Sequence, residues 1–234
     1  MNDFLQLKKV CCDANRQLAQ TGLIDLTFGN LSYFDPAMQA FAIKPSGVDY
    51  DQLTPEHMVV VDMQGHVVDG DLRPSSDTPT HCRLFQAFAN KGMRSVVHTH
   101  SRYAVSFAQA AKEIPAFGTT HCDYFNGSIP VTRELTADEV EALYEWETGN
   151  VIVERFERLN SVEIPAVLVR NHGPFAWGPS PQKAIENAYA LELCAQMAFQ
   201  TLLIHPHAAE APEHLRRKHF DRKHGINAYY GQSV

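Results

Sequence analysis

The chain has 234 residues, of which 44% are hydrophobic and 20% charged, and a formal net charge of −7. This composition predicts one globular domain over residues 1–234 with no nucleic-acid partner, because binding a phosphate backbone needs a basic face. No apolar run approaches the roughly 20 residues that cross a bilayer, and residues 1–9 lack the apolar core of a signal peptide, so we expect a cytoplasmic protein without a membrane partner.

The first part of the chain is predicted to contain one helix followed by strands. Residues 3–19 place apolar side chains at a spacing near 3.6, which predicts a helix that Gly22 ends. Residues 23–34 and 39–44 alternate in polarity, as strands do, and residues 58–68 are typical of a hairpin with its turn at Gln64-Gly65.

The second part of the chain is predicted to combine helices with buried strands. We expect a helix over 78–90 that stops at Gly92. The remaining expected elements are a strand at 95–100, a helix at 101–111, a strand at 166–169, a helix from Ser180-Pro181 to 204 and a helix at 212–223. Hairpin strands with separate helices favour an α/β fold whose central sheet is mainly antiparallel and flanked by helices.

Two histidines two residues apart are the sharpest local signal. His98 and His100 lie at the end of the predicted strand, and side chains at i and i+2 of a strand point to the same face. Both imidazoles can then reach one metal ion, although two hydrogen-bonded surface histidines are the alternative. The five cysteines contain no C-x-x-C pair, so a metal site would have to depend on histidine and carboxylate.

A third histidine follows the predicted strand at 166–169. His172 precedes Gly173-Pro174, which we expect to force a turn. It is either a turn residue that caps a carbonyl or the third member of a three-ligand set. Catalytic metal sites commonly have three protein ligands and keep a position open for substrate.

Two further segments suit an anion. Residues 74–78, Pro-Ser-Ser-Asp-Thr, supply hydroxyls and a carboxylate at a predicted helix N-terminus, with a plain N-cap as the alternative. Residues 43–47, Ile-Lys-Pro-Ser-Gly, place a lysine, a hydroxyl and a glycine at a strand end. They form either a phosphate-binding turn or only a turn.

Candidate acid/base residues lie in two other places. Asp123 belongs to a polar loop, where it is either a general acid or base or a turn former. Tyr229 and Tyr230 are unusual in a C-terminal tail, which suggests that the tail docks against another surface such as a neighbouring subunit.

Together these segments resemble the class II aldolase/adducin family. The resemblance is carried by Gly-Asn-Leu-Ser at 29–32, Lys-Pro-Ser-Gly at 44–47, Pro-Ser-Ser-Asp at 74–77, His-Thr-His at 98–100 and His-Gly at 172–173. The runs at 118–125, 172–178 and 223–232 resemble the L-ribulose-5-phosphate 4-epimerase branch. Asp77 agrees with that branch, since the sugar-phosphate aldolases of the family usually have Glu there.

The resemblance implies a three-layer αβα fold and a homotetramer that acts on a sugar phosphate. It implies C4 inversion of L-ribulose 5-phosphate to D-xylulose 5-phosphate by retro-aldol and aldol steps. Asp123 and Tyr230 would be the acid/base pair on opposite faces, with Tyr230 from the adjacent subunit. The implied ligands of Zn²⁺, or of Mn²⁺ or Co²⁺, are Asp77, His98, His100 and His172. The implied substrate-binding residues are Asn30, Lys44, Ser46, Gly47, Ser75, Ser76, Thr119, His219 and Arg222.

Two other functions remain open at this point. A class II aldolase would cleave a related sugar phosphate and release both fragments, but Asp77 and the pair Asp123 and Tyr230 argue against it. An adducin-like, non-enzymatic interaction module would be expected to lack the three histidines, which are all present.

Overall fold

A single antiparallel sheet is the centre of the molecule. The structure is a computed structural model that describes residues 4–226 and 228–230. Within these residues seven strands pair in the order β4-β3-β2-β1-β5-β7-β6. The strands are β1 Asn30–Asp35, β2 Ala40–Ile43, β3 Val59–Asp62, β4 Val67–Asp69, β5 Ser95–His98, β6 Ala166–Val169 and β7 Gly173–Gly178.

Helices cover both faces of this sheet. The helices of the described residues are α1 Leu5–Ala19, α2 Thr78–Phe88, α3 Arg102–Gln109, α4 Thr119–Cys122, α5 Ala137–Glu141, α6 Tyr144–Arg155, α7 Pro181–Ile204 and α8 Glu213–His224. Short 3₁₀ turns lie at Tyr50–Gln52, Pro55–His57 and Ala89–Lys91. Every helix of the described residues is too short or too polar for a membrane crossing.

The two faces of the sheet differ in side-chain size. Small residues such as Ala40, Ala42 and Ala176 face the layer formed by α1, α3 and α7. Large residues on the alternate positions, Phe41 and Phe175 among them, face α2 and α6. Successive side chains of a strand point to opposite faces, so each strand contributes to two cores. The predicted three-layer αβα architecture is confirmed.

Several predicted boundaries need correction. Residues 23–29 are not a strand, since Leu26 and Gly29 have φ of 57° and 86°, values that break an extended ladder. The strand predicted over 95–100 ends at His98, so His100 lies beyond it. Gly173 does not force a turn but begins β7, and the turn precedes it at residues 170–172.

The strand order brings four chain segments to one end of the sheet. β1 begins there with Asn30, which pairs with His98 at the end of β5. β2 ends there, so Lys44 follows directly. β7 begins there, next to β5 and one residue after His172. Because neighbouring strands are antiparallel, the first residues of β1 and β7 and the last residues of β2 and β5 lie side by side at this end of the sheet. The side chains there are therefore close together.

A carboxylate from α7 stabilises the turn that leaves this edge. Ser101 is the N-cap of α3, but its hydroxyl makes no cap hydrogen bond. Glu192 takes that role, since its two carboxylate oxygens accept from the backbone N–H groups of Tyr103 and Ala104 at 2.9 Å each. A negative charge at a helix N-terminus is stabilising, so α7 anchors the segment that follows His100.

Candidate functional site

Three histidines form a tight cluster at this end of the sheet. His98, His100 and His172 each offer a ring nitrogen, and these atoms all lie within 4.8 Å of one another. The Nε2 atoms of His98 and His100 are 3.1 Å apart. Two ring nitrogens this close need a proton or a cation between them, and tetrahedral metal–nitrogen bonds of about 2.0–2.1 Å give a similar separation.

Neighbouring groups orient the rings of the cluster. His98 Nδ1 donates to the carbonyl oxygen of Pro174 at 2.9 Å, which leaves the Nε2 lone pair directed at the cluster. Its ring stacks on Phe175 at a centroid distance of 4.2 Å. The ring nitrogen Nδ1 of His172 lies 3.3 Å from the hydroxyl oxygen of Tyr144. These contacts hold the donor nitrogens in place before any ligand binds.

Burial disfavours the charged form of two rings of the cluster, those of His172 and His100. It lowers the pKa of His172 to about 4, and the neighbouring imidazole of His98 adds to this effect. Burial also lowers the pKa of His100. Neutral imidazoles have free lone pairs, which is the form that binds metals. The cluster could therefore hold a divalent ion through three nitrogens.

Asp77 lines the same cavity as the three histidines, but its carboxylate is not part of the group of ring nitrogens that lie within 4.8 Å of one another. It is the N-cap residue of α2, but its carboxylate makes no cap hydrogen bond. Instead Oδ2 accepts from Asn30 Nδ2 at 2.6 Å. Burial would raise the pKa of Asp77, yet the nearby imidazoles of His98 and His81 and the Asn30 hydrogen bond hold it below its usual value. A carboxylate is thus available next to the histidines.

Asn30 leaves one polar atom without a partner. Its amide nitrogen also donates to Ser75 Oγ at 3.0 Å, while Oδ1 is buried and has no hydrogen-bond partner among the described residues. Buried polar atoms are normally hydrogen-bonded. Asn30 lines the cavity, so this unpartnered oxygen lies close to the place where a ligand would bind.

Lys44 contributes a buried positive charge. It is 2% exposed, and among the described residues its Nζ donates one hydrogen bond, to the backbone oxygen of Pro45 at 3.3 Å. In the described part of the chain no carboxylate forms an ion pair with it, and burial lowers its pKa. Ser46 and Gly47 follow on an exposed turn, where Gly47 has φ of 70°. An ammonium without a counterion inside a cavity favours an anionic ligand.

One cavity of about 370 Å³ joins these groups, a size within the usual range for small-ligand sites. Ten residues predicted from the sequence line it, together with Tyr144 and Glu145 from the start of α6, which sequence reasoning missed. The stretch from Asp138 to Glu147 is acidic and resembles a solvated surface helix, so no local pattern indicated a site there. The predicted residues in its wall are Asn30, Lys44, Ser46, Gly47, Ser75, Ser76, Asp77, His98, His100 and His172.

Asp123 belongs to a different cluster. Its carboxylate accepts from Arg222 through two bonds, Nε at 2.9 Å and the terminal NH₂ at 2.6 Å, and from His219 Nδ1 at 3.0 Å. His224 Nε2 donates to its backbone oxygen at 2.9 Å. Burial would raise the pKa of Asp123, but the Arg222 and His219 hydrogen bonds lower it. Asp123 is therefore an ionised carboxylate that anchors α8.

This second cluster lies toward the opposite end of the sheet. Tyr124 and His224 line a cavity with Met93 and Gly178. Gly178 ends β7 where β5 begins, whereas His98 ends β5 at the other edge. The structure therefore does not bring Asp123 into the histidine cavity of its own chain.

Tyr230 and Thr119 accompany Asp123. The Tyr230 ring lies 4.8 Å from the Arg222 guanidinium and 4.6 Å from the Lys223 ammonium. Thr119 begins α4, one turn before Asp123, and is exposed. Their roles in catalysis stay predictions. Asn227, Gly231 and Gln232, which belong to the run at 223–232, lie outside the described residues.

Comparison with known proteins identifies relatives over nearly the full chain. The family model described as class II aldolase and adducin N-terminal domain matches residues 9–199. The chain is 48% identical over 227 residues to a Salmonella paratyphi C (strain RKS4594) protein named L-ribulose-5-phosphate 4-epimerase UlaF. That alignment covers 97% of this chain and 99% of the relative.

Solved structures agree in fold. An L-fuculose 1-phosphate aldolase has a TM-score of 0.77 at 24% identity, covering 93% of this chain and 95% of that one. An aldolase II superfamily protein from Pseudomonas syringae has a TM-score of 0.75 at 19% identity, covering 97% and 88%. With its sheet, its histidine cluster and these matches, the chain belongs to the class II aldolase and adducin family.

Proposed function

We propose that this protein is a metal-dependent epimerase that converts L-ribulose 5-phosphate to D-xylulose 5-phosphate. The observation that carries the proposal is one cavity in which three clustered imidazoles lie with the buried ammonium of Lys44. This pairing suits a substrate with adjacent oxygens at one end and a phosphate at the other. The name of the 48% identical relative supports the choice of sugar.

The reaction needs a carbon–carbon cleavage. C4 of a ketopentose 5-phosphate carries no acidic hydrogen, so removing a proton from C4 cannot invert it. Cleavage of C3–C4 gives the enediolate of dihydroxyacetone and glycolaldehyde phosphate, and the aldehyde can present its other face before the bond forms again. A zinc ion, or manganese or cobalt, held by His98, His100 and His172 with Asp77 nearby would supply Lewis-acid stabilisation of the developing negative charge.

The chain's own residues would bind and orient the sugar. Lys44, with Ser46 and Gly47 of the same turn, would hold the phosphate while the aldehyde rotates. Asn30, with Ser75 beside it in the cavity wall, would orient the hydroxyls of the sugar. Ser76 completes the polar wall of the cavity.

We propose that Asp123 and Tyr230 act on the cavity of a neighbouring copy in a homotetramer. Within one chain both residues contact the guanidinium of Arg222, and neither lines the histidine cavity. Asp123 would take the proton of the C4 hydroxyl and Tyr230 would return it, or the reverse. The same neighbouring copy would contribute Thr119, His219 and Arg222 to the cavity. A single domain acting in the cytoplasm fits this proposal.

An assay on L-ribulose 5-phosphate tests the reaction. Formation of D-xylulose 5-phosphate is expected, lost with a chelator and restored by a divalent ion. Accumulation of free glycolaldehyde phosphate without C4 inversion would instead identify an aldolase. No turnover of any kind in metal-loaded protein would contradict the enzymatic function.

Variants test the metal site. Asp77→Asn combined with His98→Ala should abolish metal content, whereas His205→Ala, at a histidine outside the cavity, should retain it. Stoichiometric zinc in the double variant would contradict the site.

Another pair of variants tests the acid/base role. Asp123→Asn should slow epimerisation by about 10²–10⁴-fold with the metal still bound. Asp221→Asn, at an exposed carboxylate of the same α8 helix, is the matched control. Wild-type turnover in Asp123→Asn would refute the role.

A further inference from the structure

Tyr50 lies next to Lys44 and has no part in the proposed reaction. It is 8% exposed, and the Lys44 ammonium lies 4.7 Å from its ring centroid. Its hydroxyl donates to the carbonyl oxygen of Gly29 at 2.7 Å. One side chain therefore contacts both the buried cation and the turn that leads into β1.

The Lys44 ammonium needs compensation that its other contacts do not provide. Its hydrogen bond to the Pro45 carbonyl is long, at 3.3 Å, and no ion pair forms among the described residues. A cation removed from water is disfavoured unless polar or π-electron groups replace its hydration. The negative face of an aromatic ring attracts a cation, and the attraction grows when water is excluded. The Tyr50 ring provides this stabilisation.

Tyr50 also adjoins carboxylates that are another possible partner of Lys44. It lines a neighbouring cavity of about 730 Å³ whose wall includes Asp49, Asp51 and Arg16. The negative charge of Asp49 already acts on Lys44, although burial dominates its lowered pKa. A lysine stem has four rotatable carbons. Without the ring, the ammonium could turn out of the histidine cavity toward these carboxylates.

We propose that Tyr50 is a positioning residue that holds the Lys44 ammonium in the histidine cavity and thereby sets the affinity of that cavity for phosphate. Tyr50 acts through Lys44 and does not itself touch the ligand. The inference rests on the proposed function in one respect, namely that Lys44 binds the substrate phosphate.

A double-mutant cycle on metal-loaded protein tests the proposal, with inorganic phosphate as the ligand in titration calorimetry. Tyr50→Leu should weaken phosphate binding about tenfold, whereas in a Lys44→Met background the same change should have no further effect. Tyr50→Phe keeps the ring and should bind phosphate as the wild type does. Tyr33→Leu, at a partly buried tyrosine of β1 that packs against the core, controls for general loosening.

Kinetics give a second measurement. With L-ribulose 5-phosphate, Tyr50→Leu should raise KM more than it lowers kcat, because a displaced ammonium weakens binding of the non-reacting phosphate. A fold that is merely loosened would lower the active fraction, and so kcat, with KM unchanged.

Several outcomes would overturn the inference. These are wild-type phosphate affinity in Tyr50→Leu, an equal loss in the Lys44→Met background, or an equal loss in Tyr50→Phe. Unchanged phosphate affinity in Lys44→Met would also overturn it, because Lys44 would then not bind the phosphate. A protein that shows the Tyr50–Lys44 coupling but no epimerisation would contradict the proposed function alone.

Discussion

Replacing Gly29 by alanine would perturb the centre of the histidine site through the backbone. Gly29 has φ of +86°, and a Cβ built on it would lie 2.7 Å from the carbonyl oxygen of His98 and 3.3 Å from Cα of Thr99. Real Cβ atoms do not approach backbone oxygen so closely. The start of β1 would have to move away from the end of β5, and Asn30 and His98 would separate.

Two contributions set the size of the effect. Placing alanine at positive φ costs about 1–2 kcal/mol, partly offset by roughly 0.4–1 kcal/mol from the stiffer unfolded chain. The overlap with backbone adds about 1–3 kcal/mol, as overpacking does in cores. Gly65 has φ of +87° with nothing within 4 Å of a Cβ, so Gly65→Ala has the first contribution alone.

Chemical denaturation of both variants, with metal removed, measures the difference. Gly29→Ala should lose about 1–3 kcal/mol more of the free energy of unfolding than Gly65→Ala. Loss of metal affinity is expected in Gly29→Ala alone. Equal destabilisation of the two variants would refute the reasoning, because the contact with the His98 carbonyl would then have no effect.

Three further outcomes are expected. Burial lowers the pKa of His121 to about 4. The unfolded state therefore binds more protons below about pH 6.5, and about 3 kcal/mol of the free energy of unfolding should be lost as the pH falls from there toward 4. Urea titrations with a chelator present measure this loss, and His121→Gln is expected to lack it. Glu192→Gln should lower the free energy of unfolding by about 1–3 kcal/mol and the Tm by several degrees, since two backbone donors at α3 lose their charged acceptor; an unchanged Tm would contradict the cap. Tyr144→Phe should weaken metal binding about tenfold in competition with a chromophoric chelator, since the contact to His172 is lost; unchanged affinity would argue against that contact.

Local patterns predicted elements well where a single element decides them. Ser180 accepts a hydrogen bond from the backbone N–H of Lys183 and begins α7 as the N-cap motif predicts. Gly92 ends the helical segment with φ of 94°. The pattern failed at residues 23–29, where apolar alternation belongs to a turn whose glycine must fit against the end of β5.

The candidate site shows the same division. His98 and His100 were predicted to meet because they are two residues apart, and their Nε2 atoms do lie 3.1 Å apart. The strand geometry behind the prediction does not hold, since β5 ends at His98. Tyr144 and Glu145 could not be predicted, because only the packing of α6 brings them to the cavity.

By itself the sequence determined the family, the types of ligand atom and most of the helices and strands, since caps, periodicity and short motifs act over a few residues. The tertiary structure decided which of these meet. His98 hydrogen-bonds to Pro174 from 76 residues away because β5 and β7 are antiparallel neighbours. Asp123 lies toward the other end of this strand pair, since Tyr124 lines a cavity with Gly178, where β7 ends and β5 begins. The register of these buried strands follows from packing in two cores.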